Sequence, residues 1–203
     1  MEDRRTLFNE LLSECGKLHG HICPGQLLGV RMALLGCELI GISDPRGSER
    51  KKLIVWAEID RCLTDAVSAV TGVRLGRRSL KFYDYGKVAA TFLNTETQEA
   101  VRVVALDESR ALADMRYPLI ESKKERQLRA YLEASDEELF KIERVSVDYG
   151  EKDAPGRPRS RVTCADCCEG INDGREVVSA GKVLCVPCAT GGYYQRTGPP
   201  PRV

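Results

Sequence analysis

The chain has 203 residues, 42% of them hydrophobic, enough for an ordinary core in one domain or one domain with a small appendage. Lysine and arginine total 31 against 30 acidic residues, so no global field gathers nucleic acid or an anionic membrane. The first residues lack the apolar core of a secretion signal, and the most apolar run, Val30 to Ile42, is interrupted by Arg31 and Glu38; the expected setting is cytoplasmic, with no membrane span.

Residues 4–18 place Leu7, Leu11, Cys15 and Leu18 at helical spacing, with Gly16 and Gly20 flanking the end of the helix. This helix delivers the string His19-Gly20-His21-Ile22-Cys23-Pro24-Gly25, which contains both histidines of the chain and a cysteine. Imidazole and thiolate are the preferred ligands of zinc and similar metals, and an H-x-H-x-C spacing lets at least two of these side chains converge on one ion. Pro24 suits the first position of a second helix, running from Gln26 to Ile40 with Leu27, Leu28, Met32, Leu35 and Leu39 near helical spacing. Cys23 is then expected at a helix N-terminus, where unpaired amides and the macrodipole favour a thiolate. Cys15 and Cys37 fall on apolar helix faces and read as small buried thiols.

After the polar stretch Ser43 to Arg50, residues 51–60 read as a mostly buried strand ending at Arg61-Cys62, and Thr64 to Thr71 as a short helix closed by Gly72. Three strands follow, near Ser79–Tyr85, Lys87–Leu93 and Glu99–Leu106. With the turn Asp84-Tyr-Gly-Lys87 and the polar Asn94–Thr97 between them, they are expected as an antiparallel meander. Helical patterns return at 108–116 and 121–134, Ser135-Asp-Glu-Glu138 fits a capping box, and Ile142–Tyr149 can close the domain as a strand. Consecutive strands without alternating crossover helices make the class α+β: an antiparallel sheet with packed helices, spanning residues 1–150.

Composition breaks at Gly150. Residues 151–161 contain Pro155, Gly156 and Pro158 with several charges and almost nothing apolar, the signature of a semi-stiff linker. Beyond it, Cys164-Ala-Asp-Cys167 and Cys185-Val-Pro-Cys188 stand seventeen residues apart, the spacing of a structural zinc site in a small ribbon or treble-clef-like domain over 162–195. Metal explains this cysteine usage better than disulfides do in a chain without a secretion signal. Cys168 reads as a spectator, and residues 196–203, with Gly198-Pro-Pro-Pro201, as a loose tail. Between Val162 and Gln195 two basic residues face four acidic ones, which opposes phosphate contact and favours dimer or partner contacts, with Tyr193 and Tyr194 as aromatic anchors.

Three separated segments agree in order with a known family. His19-Gly-His-Ile-Cys-Pro-Gly25 followed by Leu28-Gly29, then Cys62-Leu-Thr-Asp65 with Thr71-Gly72, then Asp84-Tyr-Gly-Lys87 together resemble the FmdE family, named for formylmethanofuran dehydrogenase. The resemblance implies an α+β core with a metal-binding cleft near the first motif, often a dimer, and accommodates a C-terminal zinc-ribbon-like module. It implies association with a molybdenum- or tungsten-dependent redox enzyme as one setting, without fixing a reaction. Where the family commonly carries a cysteine after the Thr-Gly pair this chain has Val73, which leaves Cys62 as the distant partner of Cys23.

The resulting functional reading joins His21, Cys23 and Cys62 around a zinc or iron ion, with His19 as a fourth ligand or an orienting neighbour. Three protein ligands leave one position open for water or substrate. Asp65, one turn beyond Cys62, is a candidate orienting group or general base, and Asp84 and Lys87 are candidates for the wall of the same cleft; Cys23, Asp65 and Lys87 are the catalytic candidates. A metal-dependent enzyme or redox-complex component is one expectation, and a non-catalytic accessory or metal-sensing module is the other.

Overall fold

The computed structural model describes residues 2–195 and 197, so most of the tail expected at 196–203 lies outside the described residues. The chain divides into two compact units, residues 1–149 and 150–203. In the first, α1 (Glu2–His19) and α2 (Pro24–Leu39) lead to β1 (Leu53–Ala57), α3 (Cys62–Thr71), a 3-10 turn (Leu75–Arg77) and β2 (Leu80–Phe82). Then come β3 (Ala89–Asn94), β4 (Ala100–Ala105), α4 (Glu108–Arg116), α5 (Lys123–Glu133), α6 (Asp136–Leu139) and β5 (Phe140–Arg144). The class is α+β, with helices packed on one five-stranded sheet.

Local chemistry sets these boundaries. Pro24 opens α2, Gly72 closes α3 in the left-handed region at φ 72°, and Ser135 and Glu138 form both halves of a capping box at the start of α6. On the sheet, alternate residues Leu53, Val55, Ala57, Ala90, Phe92, Val101 and Val103 enter the core shared with the helices. Close approach needs small residues: a side-chain carbon added to Gly29 of α2 would lie 2.7 Å from both the Ala66 Cβ and the Leu63 carbonyl oxygen of α3. The opposite sheet face carries a polar row in register, in which Thr91 stands beside Trp56 on one side and Arg102 on the other. Arg102 donates to both oxygens of the buried Glu58, at 2.6 and 2.7 Å, and to Glu143 at 2.8 Å.

The sheet order is β2-β1-β3-β4-β5, and it corrects the expected meander. β2 does not pair with β3; it lies parallel to β1, with Val55 opposite Leu80, while β3 runs antiparallel on the other side of β1. The physical reason lies in residues 83–89. Tyr83 N–H bonds to the Ala57 carbonyl, Tyr85 and Lys87 N–H both bond to the Glu58 carbonyl, and Glu58 N–H then bonds to the Ala89 carbonyl. The expected hairpin turn is thus a strap around the C-terminal end of β1, and α3 is the crossover between two parallel strands.

The second unit begins with a 3-10 turn (Glu151–Asp153). It contains two small hairpins, β6 (Arg161–Thr163) with β7 (Gly170–Asn172) and β8 (Val177–Ser179) with β9 (Lys182–Leu184), closed by α7 (Val186–Thr190). Its buried apolar cluster is Cys164, Ile171 and Leu184, far too little to hold a fold by burial alone. No helix among the described residues is long and apolar enough to cross a membrane.

Candidate metal centres

His19 is the last residue of α1 and Cys23 the N-cap of α2, so a linker of three residues fixes two donors close together. The Cys23 side chain makes no capping bond to its own helix; the helix start is closed by backbone instead, Gln26 and Leu27 N–H both reaching the Cys23 carbonyl at 3.1 Å. Cys62 opens α3 in its first turn, beyond the strand end where the sequence placed it. Gly25 lets the two helix starts meet, since a side-chain carbon there would stand 3.3 Å from Cys62 Cβ and 3.8 Å from Cys23 Sγ.

The outcome is a donor cluster of His19, Cys23 and Cys62, one nitrogen and two sulfurs that all lie within 4.8 Å of one another. All three residues are partly buried. Burial raises the Cys62 thiol above its ordinary range, and the neighbouring Cys23 adds to the rise. His19 Nδ1 is 2.9 Å from Asp65 Oδ2. A carboxylate there favours the Nδ1–H tautomer and leaves the lone pair on Nε2, the usual outer partner of a metal-binding imidazole.

Of the remaining expected residues, His21 stands apart. Its side chain is exposed, its ring centroid is 4.9 Å from that of His19, and it is outside the donor cluster. Of the two histidines it is thus His19 that lies with the thiols: Gly20, at φ 89°, turns the chain after His19 and carries His21 outward. Lys87 is exposed, with its backbone N–H bonded to the Glu58 carbonyl, and Asp84 accepts from Gly86 N–H at 3.2 Å in its own turn. Neither joins the donor cluster among the described residues. Sequence reasoning missed Gln26, a fully buried amide at the base of this loop, although a polar residue at the start of an apolar helix is a readable signal.

Four thiols make the second cluster. Cys164, Cys167, Cys185 and Cys188 bring their sulfurs within 4.8 Å of one another. Cys164 follows β6 and Cys185 caps α7, and Cys185 N–H donates to Cys164 Sγ at 3.3 Å. N–H groups of Cys167 and Cys185 aimed at Cys164 lower its thiol to about 6, whereas Cys188, hydrogen-bonded beside Cys185 and partly desolvated, is pushed up to about 12. Cys168 is exposed at φ 62° and outside the cluster.

These two donor groups support metal binding by the chain, and four thiolates in this array are consistent with zinc. Comparison with known proteins agrees in family and fold. Residues 18–141 match the family FmdE, described as "Molybdenum formylmethanofuran dehydrogenase operon", a span containing His19, Cys23, Cys62 and Asp65. Over 100 residues the chain is 37% identical to a "Probable S-adenosyl-L-methionine-binding protein" of Archaeoglobus fulgidus, covering 49% of this chain but only 27% of that protein's length. Among solved structures, a tungsten formylmethanofuran dehydrogenase FmdE-like protein from Syntrophus aciditrophicus superposes with a TM-score of 0.63 at 23% identity, covering 93% of this chain and 95% of that one. That similarity speaks to the fold.

Proposed function

The chain belongs to the FmdE family, and from that premise we propose that its core binds one zinc or iron ion through His19, Cys23 and Cys62 as a metal-dependent enzyme or a component of a redox complex. The observation that carries this reading is the convergence of one imidazole and two thiols from three different helices, with Asp65 behind the imidazole. The donor set fits the group: a nitrogen and two sulfurs suit a borderline-soft cation, and three protein ligands leave a coordination position for substrate. When bound, such an ion supplies Lewis acidity or, as iron, electron transfer.

The chain's own residues do the rest. Asp65 holds the His19 ring in one tautomer and orientation, and the Cys23 and Cys62 thiols give up protons to become ligands. Cys23 and Asp65 are the catalytic residues of this reading, whereas Lys87, exposed on the strap after β2, has no part in the donor cluster. The four C-terminal cysteines hold a structural zinc, and the protein acts as a homodimer. A second reading, a non-catalytic accessory module that docks on a larger redox enzyme, is favoured by the fully exposed Tyr193 and half-exposed Tyr194, whose ring centroids are 5.2 Å apart.

Elemental analysis of the anaerobically purified full chain tests the metal reading. Two metals per chain are expected, one lost in Cys23→Ser or Cys62→Ser and the other in Cys185→Ser. One metal in the unmodified protein, indifferent to Cys23→Ser and Cys62→Ser, refutes the core site.

A further inference from the structure

We propose that Gln26 is the positioning residue of the core site, and that by gripping the His21 carbonyl it selects His19, and not His21, as the imidazole ligand. The inference rests on the metal-binding reading of that site.

Gln26 is the third residue of α2 and has none of its surface exposed. Buried carboxamides are retained where they meet specific partners. With its amide nitrogen turned toward the loop, Gln26 donates to the Cys15 carbonyl of α1 at 3.3 Å and to the His21 carbonyl at 3.2 Å. An amide has two N–H donors, so both carbonyls are satisfied at once. The side chain thereby ties the last turns of α1 to the middle of the three-residue linker.

The linker has two further constraints. Gly20 takes a left-handed φ of 89°, and Ile22 lies over Gly16, where a side-chain carbon would approach its Cγ1 to 2.7 Å. Between these points only the His21 peptide has to be oriented, and Gln26 draws its carbonyl inward. The His21 ring is left exposed, 4.9 Å from the ring of His19. Two imidazoles this close compete for one position beside Cys23 and Cys62, and a buried hydrogen bond to the backbone of one decides between them. His19 has the Asp65 carboxylate behind it as well. Gln26 and Asp65 therefore act in sequence: one aims the linker, the other fixes the ring.

The test uses the full chain with its four C-terminal cysteines loaded with zinc, and cobalt(II) as the probe of the core, followed by its thiolate charge-transfer and ligand-field absorption. In the unmodified protein His19→Ala is expected to weaken cobalt binding strongly and His21→Ala to leave it nearly unchanged. Gln26→Met, which keeps the shape but not the donors, is expected to weaken binding roughly 10- to 100-fold, the usual effect of losing an outer support. In that background His19→Ala becomes much less harmful, because the His21 ring is now free to take the ligand position. Unchanged affinity with unchanged histidine dependence in Gln26→Met overturns the proposal. Should Gln26→Met lose its near-ultraviolet circular dichroism, Gln26→Asn, one methylene too short for both carbonyls, serves for the same comparison. Loss of the fold in both variants makes Gln26 a scaffold residue, and the proposal falls. An unmodified core that takes up no cobalt overturns the metal reading itself, a result distinct from any of these.

Discussion

Cys15 and Cys37 are buried among the helices, and desolvation pushes their thiols up to about 11 and 12, so neither is a nucleophile or a ready ligand near neutral pH. Cys168 is exposed and stands outside the thiol cluster beside it. Iodoacetamide at pH 8 should therefore label Cys168 in the native, metal-loaded protein and spare Cys15 and Cys37, all three becoming labelled in denaturant. Peptide mass spectrometry reads the result, and native labelling of Cys37 at the rate of Cys168 would contradict it. The candidate core donors were legible as residue types: two histidines and a cysteine in one loop, and Cys62 through its family motif. Which histidine faces the thiols was not, because the decision lies in the backbone turn at Gly20 and in a buried amide two helical positions past Pro24.

Helix contacts depend on single hydrogens. Gly29→Ala drives a methyl group to 2.7 Å from Ala66 and Leu63, so α2 and α3 must separate, at an overpacking cost of about 1–3 kcal/mol. A lower urea midpoint with an unchanged slope is expected, together with weaker core metal binding as Cys23 and Cys62 move apart. Wild-type stability and metal content in Gly29→Ala would show that the two helices have slack. At α6 the sign of a pH effect is fixed by Glu138, whose carboxyl is held below its ordinary range by Ser135 N–H and then by Arg116. A depressed carboxyl stabilises the fold above its unfolded value and loses that contribution as pH falls through the folded value. The excess urea resistance of wild type over Glu138→Gln should accordingly be present at neutral pH and vanish in acid; a difference independent of pH would remove the capping carboxylate as its source. Caps such as this, the Pro24 start and the Gly72 stop were legible because they are local. The parallel place of β2 was not, since periodicity reports a strand without naming its neighbour, and the strap bonds of Tyr83, Tyr85 and Lys87 to β1 leave no mark in composition.

At the scale of the whole chain, the two compact units have unequal means of support. Residues 1–149 own an extensive apolar core, whereas among the described residues of 150–203 the buried apolar cluster is Cys164, Ile171 and Leu184. Chelation should therefore melt the second unit and leave the first folded, as amide hydrogen exchange would report segment by segment. Protection of 162–195 that survives complete metal removal would contradict this. The order of the core donors along the chain also bears on how the protein reaches its native state. His19 and Cys23 are neighbours in an unfolded chain, while recruiting Cys62 closes a loop roughly ten times longer, at an extra entropic cost of roughly 2 kcal/mol. On the proposed core site, a newly made chain would hold a metal ion with two ligands before any helix has docked, and the arrival of α3 would be the step that turns a passing complex into a site.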